Sequence, residues 1–342
     1  MKLVNKINSK ELKKKIQESN EPRTTISFYK YHHLEDVKQF RDDLFVKLDT
    51  LGVLGRIYVA DEGINAQISV PSNRFDEFKN TIYSFPFMNG IRLNIAVDDN
   101  GKSFFKLAIK IRQKIVADGI NDPSFDVTKI GKHLNAKDFN DVLEKQDITV
   151  VDMRNHYESE VGHFENAILP DVDTFREQLP YVVELLKDKK DKPLAMYCTG
   201  GIRCEKASAY MIHHGFTEVY QLEGGIIQYA QQIKKENLTT KFKGKNFVFD
   251  ERLSEKISDD IISECHQCGK PFDVHTNCAN VACNLLFIQC DDCKTKYHNC
   301  CGDDCKEIAS LPEEKQKELR QGKSVGRLVY HKGRKLKKTT AN

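Results

Sequence analysis

Cys198-Thr199-Gly200-Gly201-Ile202-Arg203-Cys204 follows the apolar run Leu194-Ala195-Met196-Tyr197 and precedes Glu205-Lys206-Ala207-Ser208-Ala209-Tyr210-Met211, a stretch composed of helix-compatible residues. A strand, a tight loop and a helix start therefore meet at a thiol. Gly200 and Gly201 are expected to let the loop fold back, so that successive backbone N–H groups point at Cys198 while the next helix adds its positive end. Such a setting favours an anion on sulfur. It is expected to lower the thiol pKa below its ordinary value of roughly 8.5, making a thiolate or a persulfide available at neutral pH. Arg203 adds a fixed cation. The competing reading is a buried cysteine in a glycine-rich turn.

Working outward, 342 residues leave room for two or three domains. Charged residues make up 30% and hydrophobic ones 39%, so wholesale disorder is not expected. A net charge of +3 does not by itself point to nucleic acid, but its distribution is uneven: from Arg320 onward there are eight Lys or Arg and no acid. That tail reads either as a solvated end or as a phosphate-contacting one. No apolar stretch approaches the roughly 18 residues of a membrane span, and the start does not resemble a signal peptide, so a cytoplasmic protein without membrane contact is expected. Eleven cysteines in a reducing compartment point to metal or thiol chemistry rather than to disulfides.

The amino-terminal part, residues 1–120, opens with a Lys-rich amphipathic helix carrying Leu3, Leu12 and Ile16. A strand over 24–31, a helix over 34–51, a hairpin over 55–70 turning at Gly63, a helix over 75–83 and a strand over 91–97 follow. That order is the split βαβ arrangement of a ferredoxin-like α+β domain, whose sheet has an open face. The run 104–116 mixes apolar and cationic residues, which puts Lys106, Lys110, Arg112 and Lys114 outward together as candidate RNA-backbone contacts or as an ordinary solvated face. Residues 121–147 read as a linker, with a short helix over 137–144. Strands and helices then alternate through 148–235, as expected of an α/β domain whose parallel sheet carries the Cys198 loop at the carboxyl end of a strand. Residues 236–264 read as a second linker, 265–305 as a cysteine-rich segment and 306–342 as the basic tail.

Val151-Asp152-Met153-Arg154-Asn155, Glu158, Gly162-His163-Phe164-Glu165-Asn166-Ala167 and the loop from Cys198 to Arg203 together resemble a rhodanese domain. The resemblance implies a persulfide-carrying cysteine at Cys198. Asp152 and Arg154 match positions that brace such domains, and His163 is expected to pack beside Phe164 rather than act as a base. A closer likeness covers almost the whole chain. The Glu62-Gly63-Ile64-Asn65 hairpin, the basic strand, Cys198-to-Ala207 and the nine-cysteine tail are similar to the bacterial rhodanese-containing tRNA uridine hydroxylases. What this resemblance implies is oxygen-dependent hydroxylation of the wobble uridine of tRNA at C5, with molecular oxygen as co-substrate and tRNA as partner.

In the tail, Cys265-x-x-Cys268 and Cys290-x-x-Cys293 are the spacing of two knuckles, each presenting two thiolates to a tetrahedral ion, and zinc is the expected occupant. Cys278, Cys283, Cys300, Cys301 and Cys305 are further candidate ligands, with His266, His275 and His298 as possible substitutes. Two ions with one spare thiol, one ion with free thiols, an iron–sulfur role and no metal all remain open at this stage.

No flavin or nicotinamide fingerprint, two-His-one-carboxylate set or haem signature is present to handle oxygen. The substrate itself then has to become the reactive partner. A Cys198 thiolate adding to C6 of uracil makes C5 enolate-like and reactive toward dioxygen, with the loop amides and Arg203 steadying charge. Cys204 reads as a resolving thiol or a packed residue. Two alternatives stand beside the hydroxylase: a persulfide sulfurtransferase acting on a thiol acceptor or a tRNA base, and a non-catalytic RNA-binding or regulatory module.

Overall fold

The computed structural model describes residues 9–145 and 147–321. Leu3 and the greater part of the basic tail, 322–342, lie outside the described residues. Helix α1 (Ser9–Glu18) precedes β1 (Arg23–Tyr31), α2 (Val37–Thr50), β2 (Leu54–Ala60), β3 (Gly63–Pro71), α3 (Phe75–Tyr83), β4 (Asn94–Ile95) and β5 (Leu107–Ile111). The sheet order β4-β1-β3-β2-β5 keeps the expected split βαβ core and adds β5 in parallel on β2. Period-two alternation explains its two faces. Ile26, Phe28, Ile57, Val59, Ile64 and Ile68 are buried under α2 and α3, each burial contributing about 1.5–3 kcal/mol. Their neighbours Ser27, Tyr29, Tyr58, Asn65 and Gln67 line a cleft on the opposite face. Gly63 makes the hairpin possible: it sits at φ +135°, and a Cβ there would meet the Lys30 carbonyl.

The central sheet is built from β6 (Lys132–Leu134), β7 (Thr149–Asp152), β9 (Leu194–Tyr197) and β10 (Val219–Leu222), all parallel in the order β6-β10-β9-β7. Around it lie α4 (Ala136–Leu143), α5 (His156–Ser159), β8 (Gly162–Phe164), α6 (Phe175–Leu185), α7 (Ile202–His213) and α8 (Gly225–Glu236). Asp152 and Arg154 do brace it. Their ion pair is fully buried at 2.6 Å, and the guanidinium also faces the rings of Tyr197 and Phe242 at 5.7 Å. His163 is pinned through Nδ1 to the Ser159 carbonyl at 2.9 Å, away from the cleft.

Several sequence expectations change. Residues 121–147, expected as a linker with a short helix, carry that helix as α4 and also supply edge strand β6, because Lys132–Leu134 pairs with β10. Residues 236–264 likewise carry β11 (Phe242–Phe247) and β12 (Ser254–Lys256), with β11 paired to β8. The expected strand over 91–97 shrinks to Asn94–Ile95 and the run over 104–116 to Leu107–Ile111, while Val151 and Ile168 form an isolated bridge. Beyond them the chain continues through β13 (His275–Asn277), β14 (Leu286–Ile288), α9 (Asp291–Lys296), α10 (Asp303–Ala309) and α11 (Glu313–Arg320).

Candidate active site

The open face of the amino-terminal sheet covers the Cys198 loop, and a cleft of about 600 Å³ lies between them. That volume suits one nucleoside-sized ligand. Its floor is Cys198, which has no exposed surface of its own. The sheet contributes Thr25, Ser27 and Gln67, and a third wall comes from Phe249 and Arg252, beyond β11. Sequence reasoning missed that third wall, since residues on a supposed linker carry no local signal of where the chain returns.

The loop is held by two helix starts. Gly201 stands at φ +96° before α7, and a Cβ there would lie 2.8 Å from the Tyr29 hydroxyl oxygen. Gly200 needs no such freedom: a Cβ would meet nothing closer than 3.9 Å. Amides at the start of α8 donate to the loop carbonyls, Ile226 to Cys198 at 3.0 Å and Ile227 to Thr199 at 3.2 Å. With those carbonyls turned away, the Gly201 N–H donates to the Cys198 sulfur at 3.2 Å. Burial opposes ionisation of Cys198, but the Cys204 thiol, the Arg203 charge and the amides of Cys204 and Gly201 outweigh it and hold the pKa at about 6. Cys204 takes the complementary role: burial and the neighbouring Cys198 keep its thiol protonated.

Arg203 is not a lone cation. Glu158 grips it with two bonds of 2.6 and 2.7 Å, and the Thr199 hydroxyl accepts a third at 3.2 Å. Glu158 is fixed in turn by the Asn155 backbone N–H at 3.0 Å. A bidentate pair of this kind sets the direction of the guanidinium more than it adds charge.

Contacts across the domains fix the cleft. Lys206, 2% exposed, donates to Glu62 at 2.7 Å and to Asp118. The Tyr29 hydroxyl donates to Glu205 at 2.9 Å, and His133 meets the same carboxylate at 3.0 Å. Lys206 and Glu205 face the amino-terminal domain from the turn after the loop, a role invisible in the sequence because both read as ordinary surface charges of a helix.

Of the four candidate RNA contacts, Lys106, Lys110 and Arg112 are exposed on one face of the edge strand. Lys114 is the exception. It lies beyond the strand's end and its ammonium is held by Asp118 at 2.6 Å, so it does not share that face.

The cysteine-rich segment sorts its thiols into two groups of four. Cys265, Cys268, Cys290 and Cys293 lie within 4.8 Å of one another, and so do Cys278, Cys283, Cys301 and Cys305. Sulfur separations of 3.5 Å for Cys268 and Cys290, and 3.7 Å for Cys283 with Cys301 and Cys301 with Cys305, approach the edge of a tetrahedron with metal–sulfur bonds of about 2.3 Å. The residues present fit two tetrahedral ions. Cys300 stays outside both groups, buried, with its thiol toward the His298 carbonyl at 3.6 Å. Among the described residues no histidine joins either group.

Residues 23–115 match the family described as UPF0176 acylphosphatase like domain, 135–232 the Rhodanese-like domain and 243–306 the Rhodanase C-terminal family. A protein of Yersinia pestis (strain Pestoides F) named tRNA uridine(34) hydroxylase is 56% identical over 339 residues, 99% of this chain and 96% of that one. One of the same name from Pectobacterium carotovorum subsp. carotovorum (strain PC1) is 55% identical over the same shares. The likeness runs through all three regions that wall the cleft, and the chain belongs to the tRNA uridine(34) hydroxylase family.

Proposed function

We propose that this protein is an enzyme that hydroxylates uridine 34 of tRNA at C5, using molecular oxygen, with Cys198 as the nucleophile. The observation that carries the reading is a thiolate-forming cysteine at the floor of a nucleoside-sized cleft. Addition of the thiolate to uracil C6 makes C5 an enolate-like carbon, which bonds to dioxygen. Two electrons and two protons from two external thiols, which leave as a disulfide, then cleave the O–O bond and release water, leaving oxygen on C5. Loss of the C5 proton expels the sulfur and restores the C5–C6 double bond. The amides around Cys198 steady the sulfur as leaving group, and the paired Arg203 keeps the loop in register.

An anticodon base is single-stranded, so seating it in the cleft costs little unstacking. Lys106, Lys110 and Arg112 then serve as backbone-phosphate contacts beside the cleft. We infer that Cys265, Cys268, Cys290 and Cys293 hold one zinc ion and Cys278, Cys283, Cys301 and Cys305 another, each supplying a cross-link for a segment with few large apolar residues. Among the described residues no helix is long and apolar enough to cross a membrane. A cytoplasmic enzyme working on tRNA among reduced thiols is the setting that suits eleven cysteines without a disulfide.

The test is nucleoside mass spectrometry of tRNA from cells lacking the gene, complemented with the unaltered chain or with Cys198→Ala. The expected result is that nucleosides derived from 5-hydroxyuridine disappear and return only with the unaltered chain. Unchanged oxygenated uridines together with altered thiolated ones would replace this reading with sulfur transfer, which the relatives' names do not favour.

A further inference from the structure

A row of rings and guanidinium groups leads away from the Cys198 loop along the cleft wall. Arg203 stands 5.8 Å from the centroid of the Phe249 ring. Phe249 packs one edge on Phe247, with centroids 5.2 Å apart, yet remains 40% exposed. Its carbonyl accepts from Arg56 at 2.7 Å. Arg56 in turn lies 6.0 Å from the Tyr58 ring, and Arg112 lies 5.4 Å from that same ring. Lys110 is in register with Tyr58 on the neighbouring strand.

Charge on this wall is unequally balanced. Asp250 and Glu255 are both taken up by Arg252 at 2.6 Å. Arg112 and Lys110 are exposed, and no ion pair among the described residues neutralises them. Phe249 as a mere cover for Phe247 would account for the packed edge but not for the open ring beside two guanidinium groups. Rings interleaved with cations, continuous with a nucleoside-sized cleft, match what single-stranded nucleic acid offers: a π-face from every base and a phosphate between them.

The geometry points to a stacking track for single-stranded RNA, in which Phe249 and Tyr58 receive nucleobases flanking the target uridine while Arg112 and Lys110 receive the intervening phosphates. It rests on the hydroxylase reading and adds to it the means by which the loop is spread. The full-length chain carrying Cys198→Ala removes turnover, so binding of a labelled anticodon-loop RNA is read directly by fluorescence anisotropy. Phe249→Ala and Tyr58→Ala are each expected to weaken binding about tenfold, whereas Phe249→Tyr and Tyr58→Phe, which keep the ring, retain it. Arg112→Gln is expected to weaken binding and to make its salt dependence shallower by about one charge.

An RNA with abasic sites on both sides of the target uridine tests the same contacts without altering the protein. It is expected to bind at least tenfold more weakly, and Phe249→Ala is expected to cost nothing further with it. Alanine variants that bind within about twofold of the parent, or a Phe249→Ala loss repeated in full on the abasic RNA, would overturn the track. Binding that ignores the flanking bases while the unaltered chain still hydroxylates tRNA sinks the track alone; absence of hydroxylation sinks the functional reading and leaves the binding result to stand.

Discussion

Two regions of this molecule use cysteine in opposite ways. At the Cys198 loop one thiol is surrounded by amides and a guanidinium, and its single partner Cys204 is held protonated. In the carboxyl-terminal segment eight thiols meet in two groups of four, each within 4.8 Å. Backbone dipoles can stabilise one negative sulfur. Four ionised sulfurs at such separations repel one another, a charge that a shared cation offsets when the thiols are deprotonated. The isolated thiol is thus the one whose charge the fold supports, and the grouped thiols are those whose charge it does not.

The strongest way to break this contrast is at the loop. Cys198→Ser is expected to lower single-turnover hydroxylation of tRNA by more than about 1,000-fold, because removal of the nucleophile leaves only binding. Residual activity within tenfold would place the chemistry elsewhere. At the other region, elemental analysis of the purified chain should find two zinc ions, and Cys268→Ser or Cys283→Ser one each, with a chelator lowering the unfolding temperature. Iron, or a single ion in the unaltered chain, would reject the paired zinc sites.

Arg154→Met tests the support beneath the loop rather than either thiol region. It strands a fully buried Asp152 and should cost about 3–5 kcal/mol in urea unfolding. A loss below 1 kcal/mol would show that the brace is dispensable. The pH dependence sharpens the loop's half of the contrast. With a pKa of about 6, Cys198 is mostly thiolate at pH 7, so its alkylation by iodoacetamide should be flat above neutrality and fall tenfold per pH unit well below 6. Cys204→Ala removes the largest stabilising hydrogen bond and should move that midpoint upward, while Cys204→Ser keeps a donor and moves it less. An unmoved midpoint would leave Cys204 as packing alone. The smallest effect is expected at Cys300→Ala, outside both groups: about 1 kcal/mol or less, with zinc content unchanged.

How far the sequence could be read depended on how local the cause was. The hairpin at Gly63, the helices over 37–50 and 75–83 and the buried parallel strands follow from periodicity and turn residues a few positions apart. So does the Cys198 loop, because the amides that face its sulfur come from the next few residues. The exceptions are informative. Gly200 reads like Gly201 in sequence, yet only Gly201 has a positive φ and the Tyr29 hydroxyl pressed against it. Lys114 reads like Lys110, yet Asp118 holds it.

By itself the sequence determined the order of the three regions, most of the helices and strands, the Cys198 loop and the presence of a cysteine-rich segment with metal-ligand spacing, largely from patterns among near neighbours. Only the tertiary structure decided that the open sheet face covers the loop, that Phe249 and Arg252 return to close the cleft, and that Lys206 is locked by Glu62 and Asp118. It also decided which cysteines share a group and which one is left out. Those are contacts between residues tens to hundreds of positions apart. Pairing across such distances is selected by how whole surfaces fit, and no local pattern encodes it.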